Sequence, residues 1–114
     1  MARHIWNFIT TLILIIMLLV ASVLYIPKFF GICPLIVLSG SMEPVYEKGS
    51  LLYVNEHRTD DIEVGDAITF YIDEDTLVTH RVVEVDENAR TFTTKGDAND
   101  VNDGNPVSFD NILG

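Results

Sequence analysis

The sequence predicts a mainly β chain. One N-terminal transmembrane helix over residues 1–28 precedes a small curved β-sheet or partial barrel over residues 29–114. Three observations predict this. No charged residue stands between Ile5 and Ile26. Beyond that span, apolar and polar residues alternate, and β-branched and aromatic residues fill the alternating runs. After residue 34 no segment carries the periodicity of an amphipathic helix. The 114 residues suffice for one domain. With the span set aside, roughly 85 residues remain, at the small end for an independent core.

The span comes first. About 20 apolar residues at ~1.5 Å each cross a hydrocarbon layer of ~30 Å. Trp6 and Tyr25 stand near its two ends, where amphipathic aromatics sit at membrane interfaces. A cleaved leader would have a shorter apolar core and a small-x-small site after it, and Pro27-Lys28-Phe29-Phe30 offers none. The span therefore reads as a permanent anchor, single-pass. Arg3 and the terminal amine lie on one side and Lys28 on the other, a slight bias. The amino terminus is placed in the cytoplasm and the domain on the extracytoplasmic side.

The strands follow in order. Leu35–Leu38 is a short apolar run that delivers Ser39 and Ser41 from a strand end. Ser50–Asn55 and Ala67–Ile72 read as strands, the second entered through Val64-Gly65-Asp66. Leu77–Val85 is the longest and alternates best, and Thr91–Lys95 completes the set. Residues 73–76 and 86–89 are polar turns. Alternation in the long strand puts Val78, His80 and Val82 on one face and Thr79, Arg81 and Val83 on the other. His80 thus shares a face with apolar residues, which for an isolated histidine means a core position with one hydrogen bond.

Composition narrows the function. Net charge is −10, nearly all of it after the span. Such a surface does not suit nucleic acid or a domain lying flat on anionic lipid. The lone Cys33 cannot form an internal disulfide, and no Cys/His spacing resembles a zinc site. Cys33 reads as a small packed side chain. Asp97, Asp100 and Asp103 are oxygen donors, but they lack the calcium-loop pattern and its closing glutamate. These residues point to neither a zinc nor a calcium site.

Chemistry concentrates in three places: Ser39-Gly40-Ser41-Met42-Glu43-Pro44, then Thr79-His80-Arg81, then Lys95-Gly96-Asp97 with Asp103. A serine hydroxyl attacks only when a base takes its proton, and the base needs a partner to fix its tautomer. Histidine, with an unperturbed pKa near ~6.5, suits neutral pH. An oxyanion needs donors, and a tight loop through Gly40 can aim the Ser41 amide, with the Ser39 hydroxyl as a second donor. Pro44 stiffens the loop beyond. Only about a dozen residues separate Ile26 from Ser39, so at ~3.3 Å each the serine stands at most ~40 Å from the membrane exit.

Taken together, the Ser39–Pro44 segment, Val64-Gly65-Asp66, Thr79-His80-Arg81-Val82-Val83, and Lys95-Gly96-Asp97-Ala98-Asn99 through Asp103 closely resemble type I signal peptidases (peptidase family S26). The branch is the serine–histidine one of archaea, the endoplasmic reticulum and some Gram-positive bacteria. The boxes occur in the family's order and cover most of residues 35–114. The resemblance implies Ser41 as nucleophile and His80 as base where the common bacterial branch has lysine. It implies Asp103 as the acid paired with histidine, and Asp97 as a second acid, catalytic or structural. Ser39 matches an oxyanion-hole hydroxyl. The implied reaction is hydrolysis after the small residues that end a signal peptide, without metal or organic cofactor. The implied partners are secretory precursors, the lipid bilayer and accessory membrane subunits, and no nucleic acid.

Two departures stand out. Asn102 occupies a position where relatives often have another acid. Relatives usually continue beyond a segment like Phe109–Gly114 into another strand, so the domain reads as a short form or as C-terminally incomplete. Another class fits the anchor and the acidic surface: a catalytically silent, membrane-tethered β-domain that binds or scaffolds secretory partners. It leaves the ordered Ser, His and Asp boxes to chance. Self-cleaving regulator peptidases share a related core, but they favour a lysine base and carry a DNA-binding domain, and neither feature is visible here.

Overall fold

The computed structural model describes residues 1–56 and 59–114. Helix α1 spans Ala2–Phe29, so it begins before and ends after the charge-free span. Its 28 residues reach about 42 Å at ~1.5 Å each, long and apolar enough to cross a membrane. No α1 side chain is fully buried in the protein. The helix ends where Phe30 N–H and Gly31 N–H donate to the carbonyls of Pro27 and Lys28, and Gly31 adopts a φ of 71°.

The chain turns at once into β1 (Ile32–Ile36), which pairs antiparallel with β2 (Leu51–Asn55) from Ile32↔Asn55 to Ile36↔Leu51. The strand starts earlier than the apolar run 35–38 suggests. Its register is set by β2, and Val37 continues the pairing through Ser50 and Gly49. Pro34 is tolerated because β1 is an edge strand and one of its sides needs no donor. The Tyr53 hydroxyl donates to the Val23 carbonyl at 3.1 Å, which ties β2 to α1.

The second sheet runs β3 (Ala67–Tyr71), β4 (Leu77–Asp86), β5 (Thr91–Lys95) and β6 (Val107–Ser108), in that spatial order and all antiparallel. A single 3₁₀ turn at Phe109–Asn111 then carries the chain back across the sheet. Ile112 bridges Phe70, and Leu113 and Gly114 exchange main-chain hydrogen bonds with Thr69. The last residues thus occupy the outer edge of β3, and the sheet curls into a half-barrel. Neither β6 nor this return was expected from the sequence, because two-residue strands carry no periodic signal.

The core is Ile68, Phe70, Val82, Phe92 and Val107, with Val78, Val85, Phe109 and Ile112 packed on it. Strict alternation along β4 would put Glu84 on the core face with Val82. A bulge between Val82 and Glu84 prevents it, so Glu84 stays exposed and Val85 turns inward.

Candidate active site

Three segments converge at the upstream half of β4. The first is the loop after β1. Met42, only 3% exposed, anchors it, and the Met42 carbonyl accepts the Tyr46 N–H at 2.9 Å. The second is the core face of β4, which carries His80 beside Phe70 (rings edge-to-face, centroids 6.4 Å apart). The third is the loop leaving β5, residues 96–106.

Ser41 Oγ lies 3.1 Å from His80 Nε2, and His80 Nδ1 lies 2.5 Å from Asp103 Oδ2. The carboxylate oxygen accepts, so Nδ1 carries a proton, and in the neutral ring Nε2 faces the serine as an acceptor. His80 is nearly buried, whereas the Asp103 side chain is 26% exposed. Ser39 Oγ sits 3.2 Å from Ser41 Oγ. Among the described residues the Ser41 N–H has no hydrogen-bond acceptor, so it is available to an incoming oxygen. All of Ser39, Ser41, His80 and Asp103 therefore meet.

Asp97 does not join them. It forms a two-point ion pair with Arg81, with Nε to Oδ1 at 2.9 Å and a terminal nitrogen to Oδ2 at 2.8 Å. The other terminal nitrogen of Arg81 donates to the Gly65 carbonyl at 2.8 Å. The hydrogen bonds from Arg81 hold the Asp97 carboxyl below the usual carboxylate range, and the same bonds raise the guanidinium further above its own. Arg81 and Gly65 gave no functional signal in the sequence beyond their motifs, although alternation did place Arg81 on the face opposite His80.

The loop after β5 also grips the serine loop directly. The Ser41 carbonyl accepts the Ala98 N–H at 2.9 Å, and Met42 Sδ accepts the Asp97 N–H at 3.4 Å. A Cβ on Gly96 would stand 2.7 Å from the Ser41 carbonyl oxygen and 3.1 Å from its Cβ, so this close approach requires glycine.

A groove of about 950 Å³ leads away from Ser41 and His80 between residues 34–39 and 75–80. Among the described residues β1 pairs only with β2, and residues 77–80 of β4 pair only with β3. The groove is thus bordered by two unpaired strand edges with Leu35, Ile36, Leu38 and Val78 along its walls. A second cavity of about 410 Å³ lies between β2 and β3 and does not reach Ser41 or His80.

The family model "Signal peptidase, peptidase S26" matches residues 6–103. Signal peptidase I W of Bacillus subtilis (strain 168) is 43% identical over 111 residues, which cover 91% of this chain and 58% of that protein. The signal peptidase complex catalytic subunit SEC11C of Homo sapiens is 42% identical over 72 residues, 60% of this chain and 38% of that protein. The putative catalytic subunit SEC11B of Homo sapiens is 38% identical over 74 residues, 61% of this chain and 45% of that protein. The aligned parts thus span between 38% and 58% of these curated relatives. No solved structure matches the chain. With the family model covering almost the whole chain and the family's ordered boxes meeting around one serine and one histidine, the chain belongs to the signal peptidase family, peptidase S26.

Proposed function

We propose that this chain is a membrane-anchored serine endopeptidase that removes signal peptides from secreted precursors. The observation that carries the reading is the hydrogen-bonded series Ser41–His80–Asp103, at 3.1 and 2.5 Å. Ser41 Oγ attacks the scissile carbonyl carbon while Nε2 of His80 takes its proton. Asp103 holds the ring and stabilises the imidazolium. The Ser41 N–H and the Ser39 hydroxyl donate to the developing oxyanion. Nε2–H then protonates the leaving amine. A water, deprotonated by the same nitrogen, releases the acyl group from Ser41. Asp97 acts through Arg81 as a structural acid.

The groove supports the substrate class. An extended peptide between its two unpaired edges adds a strand and is held by main-chain bonds, with side chains directed into apolar walls. An anchored enzyme suits a substrate that is itself inserted in the bilayer. The reading places the domain on the extracytoplasmic side of a single-pass anchor over residues 1–28, with accessory membrane subunits as partners and no cofactor. Family membership disfavours the silent scaffold, which predicts no cleavage at all.

The test is cleavage of a signal-peptide-bearing precursor by the whole chain in detergent micelles or liposomes. Ser41→Ala and His80→Ala should each abolish processing while the circular dichroism spectrum is kept. Processing that survives either substitution removes the assigned mechanism.

A further inference from the structure

We infer that Thr94 is a positioning residue for the acid of this site, a role that rests on the proposed Ser41–His80–Asp103 reading. Thr94 lies on β5 opposite Val82, fully buried on the core face of the sheet. Its Oγ1–H donates to Asp103 Oδ2 at 2.7 Å, the same oxygen that accepts His80 Nδ1–H. Its main-chain carbonyl accepts the Asp103 N–H at 2.8 Å. Thr94 therefore holds Asp103 at two points, one on the backbone and one on the carboxylate.

The need for this grip follows from where Asp103 stands. Asp103 belongs to an irregular segment and is not fixed by a strand ladder. Its side chain is part exposed, so water competes for its oxygens. Among the described residues, no side chain other than His80 and Thr94 bonds to it. Take away the hydroxyl and the carboxylate can turn about its side-chain torsions. His80 then keeps an acid nearby without one aimed along Nδ1–H. The strand that supplies the hydroxyl is among the most buried in the protein, so the donor itself cannot drift.

Substitution by valine keeps shape and β-branching and exchanges the hydroxyl for a methyl group that cannot donate. A hydrogen bond to a charged acceptor that orients a base corresponds to about a 10- to 100-fold effect. Thr94→Val in the whole chain should lower kcat by that factor with KM little changed, because the groove is untouched. Thr94→Ser should recover most of the loss. In an Asp103→Asn background, Thr94→Val should cost almost nothing more, because the acceptor it orients has been replaced. Thr69→Val is the control. It removes another buried hydroxyl, bonded to Thr79 at 2.6 Å, from a residue with no part in the site, and it should leave kcat near wild type.

A second readout does not depend on peptidase activity. With ¹⁵N-labelled histidine, the Nδ1–H proton of His80 should resonate far downfield in wild type and Thr94→Ser, and shift or broaden away in Thr94→Val. A wild type without processing removes the functional reading, yet the resonance still decides whether Thr94 holds the pair. An unmoved resonance in Thr94→Val, additive losses with Asp103→Asn, or an equal loss in Thr69→Val overturns the inference.

Discussion

Two neighbours on one strand, His80 and Arg81, are each paired with an acid from the same loop, and the two pairs do different work. His80 faces the core side of β4 and meets Asp103, the far end of the loop. Arg81 faces the other way and meets Asp97, the near end. The His80–Asp103 bond leads on to Ser41, the site of the proposed proton transfer. The Arg81–Asp97 pair ends on the Gly65 carbonyl and ties three segments together. Alternation along a strand thus assigns adjacent residues to opposite tasks. The difference is also one of replaceability. A neutral imidazole is useful because it can accept a proton near neutral pH, whereas guanidinium is useful because it never gives one up.

The largest test of this division is Asp103→Asn. The amide cannot accept Nδ1–H with the strength of a carboxylate and favours the wrong tautomer, so kcat should fall about 10³- to 10⁴-fold with the melting temperature nearly unchanged. A matching substitution at the other end, Asp97→Asn, should do the reverse, and equal activity losses at both ends would erase the distinction drawn here.

Gly96→Ala is expected to come next and to blur the boundary between the two ends. Its new Cβ pushes on the Ser41 carbonyl oxygen at 2.7 Å, so the serine must shift. A displaced nucleophile costs on the order of 10- to 100-fold in activity, alongside ~1–3 kcal/mol of overpacking. Single-turnover cleavage and a denaturant titration measure the two effects separately.

The smallest expected effect is that of Asp97→Asn on stability, ~1–2 kcal/mol for a part-exposed two-point pair. Its pH dependence carries a definite sign. Asp97 is held below its ordinary 3.8 by Arg81 in the folded protein. Its contribution is fully present above the unfolded-state value and is lost as pH falls through the lower folded value. Wild type should therefore be the more stable protein at neutral pH and lose that advantage over Asp97→Asn below about pH 4. A gap that persists unchanged into acid would mean that the pair contributes little.

Much of this was legible in the chain. The charge-free run marked the helix, and Thr91–Lys95 marked β5 to the residue, because a clean alternation bounded by turns leaves little freedom. Residue types offered a serine loop, a histidine and several acids, and the resemblance to the signal peptidase family singled out Ser41, His80 and Asp103 among them. Other features left weaker traces. The bulge at Val82/Glu84 could be suspected from a glutamate on an apolar face. Thr94 could be suspected from a hydroxyl on the inner face beside Phe92. The strand at 107–108 and the return of 112–114 to β3 left no periodic trace.

By itself the sequence determined the long apolar helix, the β-rich domain, the order of the boxes and the kinds of groups available for chemistry. These depend on local composition and spacing, which a linear chain displays openly. The resemblance had favoured Asp103 over Asp97 as the partner of His80, but the tertiary structure alone decided that Asp103 reaches His80 while Asp97 meets Arg81, that Thr94 bonds to Asp103, that Gly96 abuts the serine, and that residues 112–114 return to the edge of β3. Each of these depends on cross-strand register and on the path of a loop between distant positions. Hydrogen bonds resolve differences of a few ångströms, and spacing along a chain does not fix positions that finely in space.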